Sequence, residues 1–309
     1  MDGREEAVVG GIGAVGVQAV DIDAEVEKAM SGLGLLAAGA NVIMQLARPA
    51  VGYGVYESKV ETGRLDRHPV KRTRTTLTYL AVASLATDEE KKLYRRAVNG
   101  SHKHVRSDEN SAVEYNAFDP ELQLWVAACL YRGFEDVYKI LYGDLDPVTR
   151  DAFYQRSATF GTTLQMRRDM WPADRDAFEV YWNENLDKVA IDETIREHLY
   201  GIASATFTPK LLHPVVGPLN RFVTTGFLPQ AFRDEMRLPW SVRQQRNFDR
   251  SMRVAALVNR FSPKILRMFP YNFYLWDLRR ASPRESRWSE PTLALEVIDT
   301  TGESDTYST

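Results

Sequence analysis

Apolar residues recur along this chain at helical spacing, segment after segment, and most segments open on a residue suited to capping them. After Asp119-Pro120, apolar positions fall at Leu122, Trp125, Val126, Cys129 and Leu130, the stripe that a buried helix face requires. Phe178, Tyr181, Trp182, Leu186 and Val189 repeat it after Asp174, and Leu77, Leu80, Ala81, Ser84 and Leu85 repeat it within 72–86. Asp119, Asp146 and Asp192 each place an acceptor side chain where the first backbone N–H groups of a helix lack partners. Pro120 and Pro147 follow at the first helical position, where a missing N–H is harmless. Ser241 caps a further helix running towards Phe261. Strand-type alternation is sustained nowhere, so the pattern predicts an all-α fold.

Two stretches break the rhythm. Prolines at 209, 214, 218, 229 and 239 predict an irregular connector with short helices over 207–239. A last helix over 264–280 is expected to be interrupted near Pro270. No internal repeat and no inner domain boundary is visible. The expected organisation is a glycine-rich leader (1–31), one helical domain (32–280) and an acidic, Ser/Thr-rich tail (281–309) with a short docking segment near 293–298.

Composition narrows the function classes. A net charge of −3 gives no electrostatic reason to expect nucleic acid. Basic residues nevertheless cluster in 64–106 and 233–280, as solvated helix faces or as a pocket for an anionic group. One cysteine, Cys129, excludes a disulfide within the chain and a cysteine-rich zinc site. The opening residues are acidic and the apolar run 7–20 is short and glycine-rich, so neither a secretion signal nor a membrane span is expected, and the expected location is cytoplasmic.

Gly11-Ile-Gly13-Ala-Val-Gly16 matches a dinucleotide-binding string, but the strands that such a loop needs do not accompany it. The histidines are His68, His102, His104, His198 and His213, and none has a zinc-hydrolase spacing. In a regular helix over 89–105, His102 and His104 point about 200° apart and cannot grip one ion together. His102 shares a face with Tyr94, Val98 and Val105, whereas His104 groups with Leu93 and Ala97. Gly100 and Ser101 leave room for a flat ligand beside His102. Arg72 and Thr76, four apart, put a guanidinium and a hydroxyl on one face of the preceding helix. An imidazole facing an apolar cavity with an arginine nearby suits haem, nitrogen to iron and cation to propionate. The alternatives are a hydrogen-bonded core histidine and an ordinary surface ion pair at Arg72.

An ordered set of segments carries a family resemblance: Gln45-Leu-Ala-Arg-Pro49, Pro69-Val-Lys-Arg72-Thr-Arg-Thr-Thr76, Val98-Asn-Gly-Ser-His102-Lys-His104, Tyr115-Asn-Ala-Phe-Asp-Pro-Glu-Leu-Gln-Leu-Trp-Val126 and Phe227-Leu-Pro-Gln-Ala-Phe-Arg233. Over 32–280 the chain resembles the rubber oxygenases (latex-clearing proteins) and the mycophenolic-acid-pathway oxygenase. The resemblance implies a globin-like helical core around haem b (iron protoporphyrin IX), with His102 as the iron ligand and Arg72 and Thr76 beside the haem. It also implies histidines where this chain has Arg48 and Ala127, arginine at His104, and a glutamate base for which Glu57 is nearest in register. The expectation is therefore a haem-dependent oxygenase using dioxygen or peroxide on a small apolar substrate. A non-catalytic carrier or sensor, or a relative that has lost its cofactor, is the alternative.

Overall fold

In the computed structural model, which describes residues 21–58, 60 and 68–281, regular structure is helical throughout. The first helices are α1 (Ile22–Ala29), α2 (Ala38–Leu46), α3 (Pro49–Tyr56), α4 (Pro69–Leu85) and α5 (Asp88–His102), with a 3-10 turn, Gly32–Ala37, before α2. Then come α6 (Pro120–Tyr142), α7 (Pro147–Ser157), α8 (Thr159–Thr162), α9 (Arg175–Leu186) and α10 (Glu193–Ala203). The chain continues through α11 (His213–Phe227), α12 (Gln230–Glu235), α13 (Val242–Phe261), α14 (Lys264–Arg267) and α15 (Tyr271–Ala281). Among the described residues the nearest approach to a strand is one isolated antiparallel bridge, Arg106 with Asn116. The leader motif at 11–16 and the tail beyond 281 lie outside the described residues.

The expected caps are in place. Asp119 accepts from the Glu121 N–H at 2.8 Å, Asp146 from Thr149 at 3.0 Å, Asp174 from Ala177 at 2.8 Å and Asp192 from Ile195 at 2.9 Å. Ser241 and Gln244 form a reciprocal capping box at the start of α13.

α6 is the axis of the domain. Its apolar stripe is buried from Leu124 to Leu141, and α2, α8 and α13 pack along it. Gly133 allows the α2 crossing: a Cβ there would strike the Asn41 amide, which donates to the Cys129 carbonyl at 2.6 Å. Trp125, fully buried, stacks on Trp182 at 5.3 Å and donates its indole N–H to the Gln45 carbonyl at 3.1 Å. Further along, Tyr131 meets Phe178 edge-to-face at 4.9 Å, and Tyr154 stacks on Trp171 at 5.3 Å. α1 joins this core through Val26, Ala29 and Met30.

Two elements differ from the sequence expectation. The stretch 207–239 holds a full helix, α11, rather than short pieces alone. Pro214 falls in its first turn and Pro218 one turn later, both exposed, so the unbonded carbonyl opposite Pro218 lies at a solvent-facing turn. α5 ends at His102 instead of continuing to Val105. The aromatic run 271–276 divides: Tyr271 and Leu275 are buried, while Phe273 and Trp276 are exposed. Among the described residues no single helix is long and apolar enough to cross a membrane, although α1 and the 32–46 segment, bent by 54° at their junction, pass that test as a pair.

Trp125→Ala leaves a cavity where two aromatic stacks and one hydrogen bond converge, and is expected to lower unfolding stability by about 3–5 kcal/mol. Chemical denaturation of the two proteins checks this; a loss below about 1 kcal/mol contradicts the role given to Trp125.

Candidate cofactor site

His102 is the last residue of α5. Beyond it the Lys103 N–H still bonds the Asn99 carbonyl at 3.1 Å, but the Val105 N–H turns back to the His102 carbonyl at 2.9 Å and the chain leaves the helix axis. His104 therefore lies outside α5, exposed to solvent. The returning chain is fixed by Ala117 N–H to the Val105 carbonyl and Ser107 N–H to the Tyr115 carbonyl, each at 2.9 Å. That pairing sets the Phe118 ring edge-on to the His102 imidazole, with centroids 6.3 Å apart. Glu57, at the end of α3, braces the same loop by accepting from the Tyr115 hydroxyl at 3.0 Å and the Ala112 N–H at 3.3 Å.

The imidazole is held neutral. Burial, then the neighbouring Arg72 charge, lower its pKa from 6.5 to about 4. Its Nδ1 is buried and makes no hydrogen bond. Arg72 comes from the first turn of α4, and burial pushes its guanidinium below its usual range. Among the described residues it has no ion-pair or hydrogen-bond partner. The buried Tyr94 lies beside it, its phenol kept protonated by burial. Thr76 is one turn on from Arg72, but its hydroxyl donates to the Arg72 carbonyl at 3.0 Å, within the helix. The structure thus brings Arg72 and His102 together and spends the Thr76 hydroxyl on the backbone.

Sequence reasoning missed the supports that fix these two residues. The Tyr94 hydroxyl donates to the Thr75 carbonyl at 3.2 Å, tying α5 to α4 beside Arg72. Arg95 caps the end of α8 by donating to the Thr162 carbonyl and, at 2.8 Å, to that of Thr163. One turn before His102, Asn99 accepts from the Gln165 amide. Gln165 in turn accepts from Gln123 at 2.7 Å, and Gln123 also donates to the Ala117 carbonyl at 2.9 Å. A sequence signal existed: Gln123 is an amide lodged between Leu122 and Leu124 at a buried position of α6. Arg48 and Ala127 lie elsewhere in the packing. Arg48 donates to Asn185 at 2.7 Å with its guanidinium 5.7 Å above the Trp125 ring, and Ala127 is fully buried.

Because the folded-state pKa of His102 lies below that of the unfolded chain, the unfolded state binds the extra proton between about pH 4 and 6.5. His102 therefore lowers stability as pH falls through that window and has no effect above it. Histidine NMR, assigned by loss of one resonance in His102→Ala, should show its titration near pH 4; a midpoint near 6.5 contradicts the buried, neutral imidazole.

The family described as "ER-bound oxygenase mpaB/B'/Rubber oxygenase, catalytic domain" matches residues 28–257. Uncharacterized proteins of Mycobacterium bovis and Mycobacterium tuberculosis are each 53% identical over 245 residues, covering 79% of this chain and 96% of their own. No solved structure matches the chain. The matched stretch contains the helices bearing Arg72, Thr76 and His102, and the chain belongs to this family of oxygenase catalytic domains, and so is an enzyme.

Proposed function

We propose that this enzyme is a haem b-dependent oxygenase that acts on a small apolar metabolite, a terpenoid or another natural product, with dioxygen or peroxide as oxidant. The observation that carries the proposal is the pairing of a neutral imidazole, with a buried unpartnered nitrogen, and a half-buried guanidinium without an acid. A neutral imidazole is the form that binds a metal, and with a pKa of about 4 protons compete little at neutral pH. A guanidinium without a carboxylate is matched to an anionic group such as a propionate. Among the described residues no group of three His, Cys, Asp or Glu side chains could hold a bare metal ion. That donor set fits a metal that arrives already held by a macrocycle and needs one axial protein nitrogen.

In this reading His102 would hold the iron of the haem and Arg72 would pair with a propionate. Bound haem would supply the redox chemistry that the oxidant requires. Phe118 beside His102 and Tyr94 beside Arg72 would supply apolar surface for the flat macrocycle. Tyr94 keeps its proton because burial pushes its phenol up. Thr76, the hydroxyl one turn on from Arg72, steadies the first turn of α4 through its bond to the Arg72 carbonyl. The globin-like arrangement of the core is part of the same reading. Glu57 is occupied by Tyr115 and Ala112, which favours a role in bracing the loop over one as a base.

Protein expressed with a haem precursor should show a strong Soret band that shifts on reduction and addition of carbon monoxide. His102→Ala should lose haem retention. Arg72→Ala should weaken it about ten- to a hundredfold, the worth of a charged hydrogen bond, with Arg72→Lys between. Colourless, folded protein that ignores added haemin overturns the proposal. Haem that binds but resists carbon monoxide after reduction points instead to a carrier or sensor.

A further inference from the structure

The basic excess of the C-terminal third is not used by the site around His102. Residues 243–280 contain nine Lys or Arg and two Asp, a local charge of +7 in a chain whose net charge is −3. The same stretch displays its apolar side chains outward. α13 turns Phe248, Met252 and Asn259 inward, and its outer face runs on into α14 and α15. At that junction Phe261, Ile265 and Leu266 are 77%, 75% and 65% exposed, with Phe269, Phe273 and Trp276 exposed beside them. Arg253, Arg260, Lys264 and Arg280 are exposed among them, and the Arg280 guanidinium lies 5.3 Å from the Trp276 ring.

This surface is braced from behind. Ser31 donates to Asn259 at 2.9 Å in a buried contact, and Lys264 pairs with Glu27. Tyr271 and Leu275 anchor α15 in the core, where it packs against α4, and Arg74 pairs with Asp277 across that contact. The outward apolar residues are therefore a fixed feature of the fold rather than a frayed end.

Exposed apolar residues at a helix–turn–helix tip, set in a field of guanidinium groups, match one kind of environment: the interfacial layer of an anionic bilayer. There the acyl region takes the apolar side chains and headgroup phosphates take the cations. A second copy of the chain is a poor occupant, because two-fold pairing would set this arginine-rich surface against itself. We propose that α13–α15 form a peripheral docking surface for an anionic lipid bilayer, with Phe261, Ile265, Leu266 and Phe269 entering the interface. α15 rests on α4, the helix that carries Arg72, so docking brings the site close to apolar molecules dissolved in the bilayer. That last consequence rests on the proposed function; the docking itself does not.

Flotation of the full chain with vesicles of phosphatidylcholine alone, or mixed in equal parts with phosphatidylglycerol, tests the proposal. Binding should be at least about tenfold stronger to the anionic vesicles and should weaken with salt. Ile265→Glu with Leu266→Glu should abolish flotation at unchanged helical circular dichroism. Arg253→Glu with Arg260→Glu should weaken it about fivefold or more for each position changed. Protein that floats with neither vesicle, or a glutamate double variant that floats like the parent, overturns the proposal. So does a concentration-dependent doubling of mass, removed by the same double variant, without flotation: the occupant is then a second copy.

Discussion

Drawing a guanidinium partly out of water without giving it a carboxylate has a desolvation cost, and the arrangement persists only where surrounding structure holds it. Arg72 is in that position, and the structure around it reads as the means of keeping it there. The lower half of α4 is locked by Leu77, Leu80 and Ala81–Ala83 in the core. Tyr94 ties α5 to the α4 backbone, Arg95 ties α5 to the end of α8, and α15 lies along α4 on another side. None of these contacts uses the unpartnered groups themselves. Packing energy gathered elsewhere thus maintains a charged, unmatched arrangement at one spot, the usual condition of a preorganised binding site.

The departures from the family resemblance have a physical form. Where histidine was implied at 48, the arginine hydrogen-bonds Asn185 and covers the Trp125 ring, part of the aromatic stack that centres the domain. Where histidine was implied at 127, a fully buried alanine lies on α6. Of the other histidines, His198 packs edge-on to Tyr56, His213 contacts the Ser204 carbonyl at 3.2 Å, His104 is exposed, and His68 occupies the cap position at the start of α4, one turn before Arg72. Under the proposed function, iron ligation on this chain falls to His102.

Much of the fold was legible because local rules and tertiary packing agree. Asp119, Asp146, Asp192 and Ser241 cap the helices they were expected to cap, and the stripes of α4, α6 and α9 face the core. The exceptions arose where tertiary context outweighed local preference. α11 tolerates Pro218 because its cost falls at a solvent-facing turn, and α5 stops at His102 because the 105–117 pairing pulls the chain away. At the candidate site, helix faces together with the family resemblance point to Arg72, Thr76 and His102. The Thr76 hydroxyl's bond to its own helix and the Asn99–Gln165–Gln123 chain were not legible, since each depends on positions set by three-dimensional packing.

That amide chain has one more property. It carries no net charge and no group that titrates in the ordinary range, so neither ionic strength nor pH alters its strength directly. The polar contacts that supplement the apolar anchor of α15 are of the opposite kind, ion pairs of Arg74 with Asp277 and of Arg279 with Glu90. The polar bonds of the molecule are therefore unevenly responsive to their surroundings. Those at its outer helix are ones that salt can loosen, while the amide bonds beside the turn presenting His102 are ones that salt leaves alone.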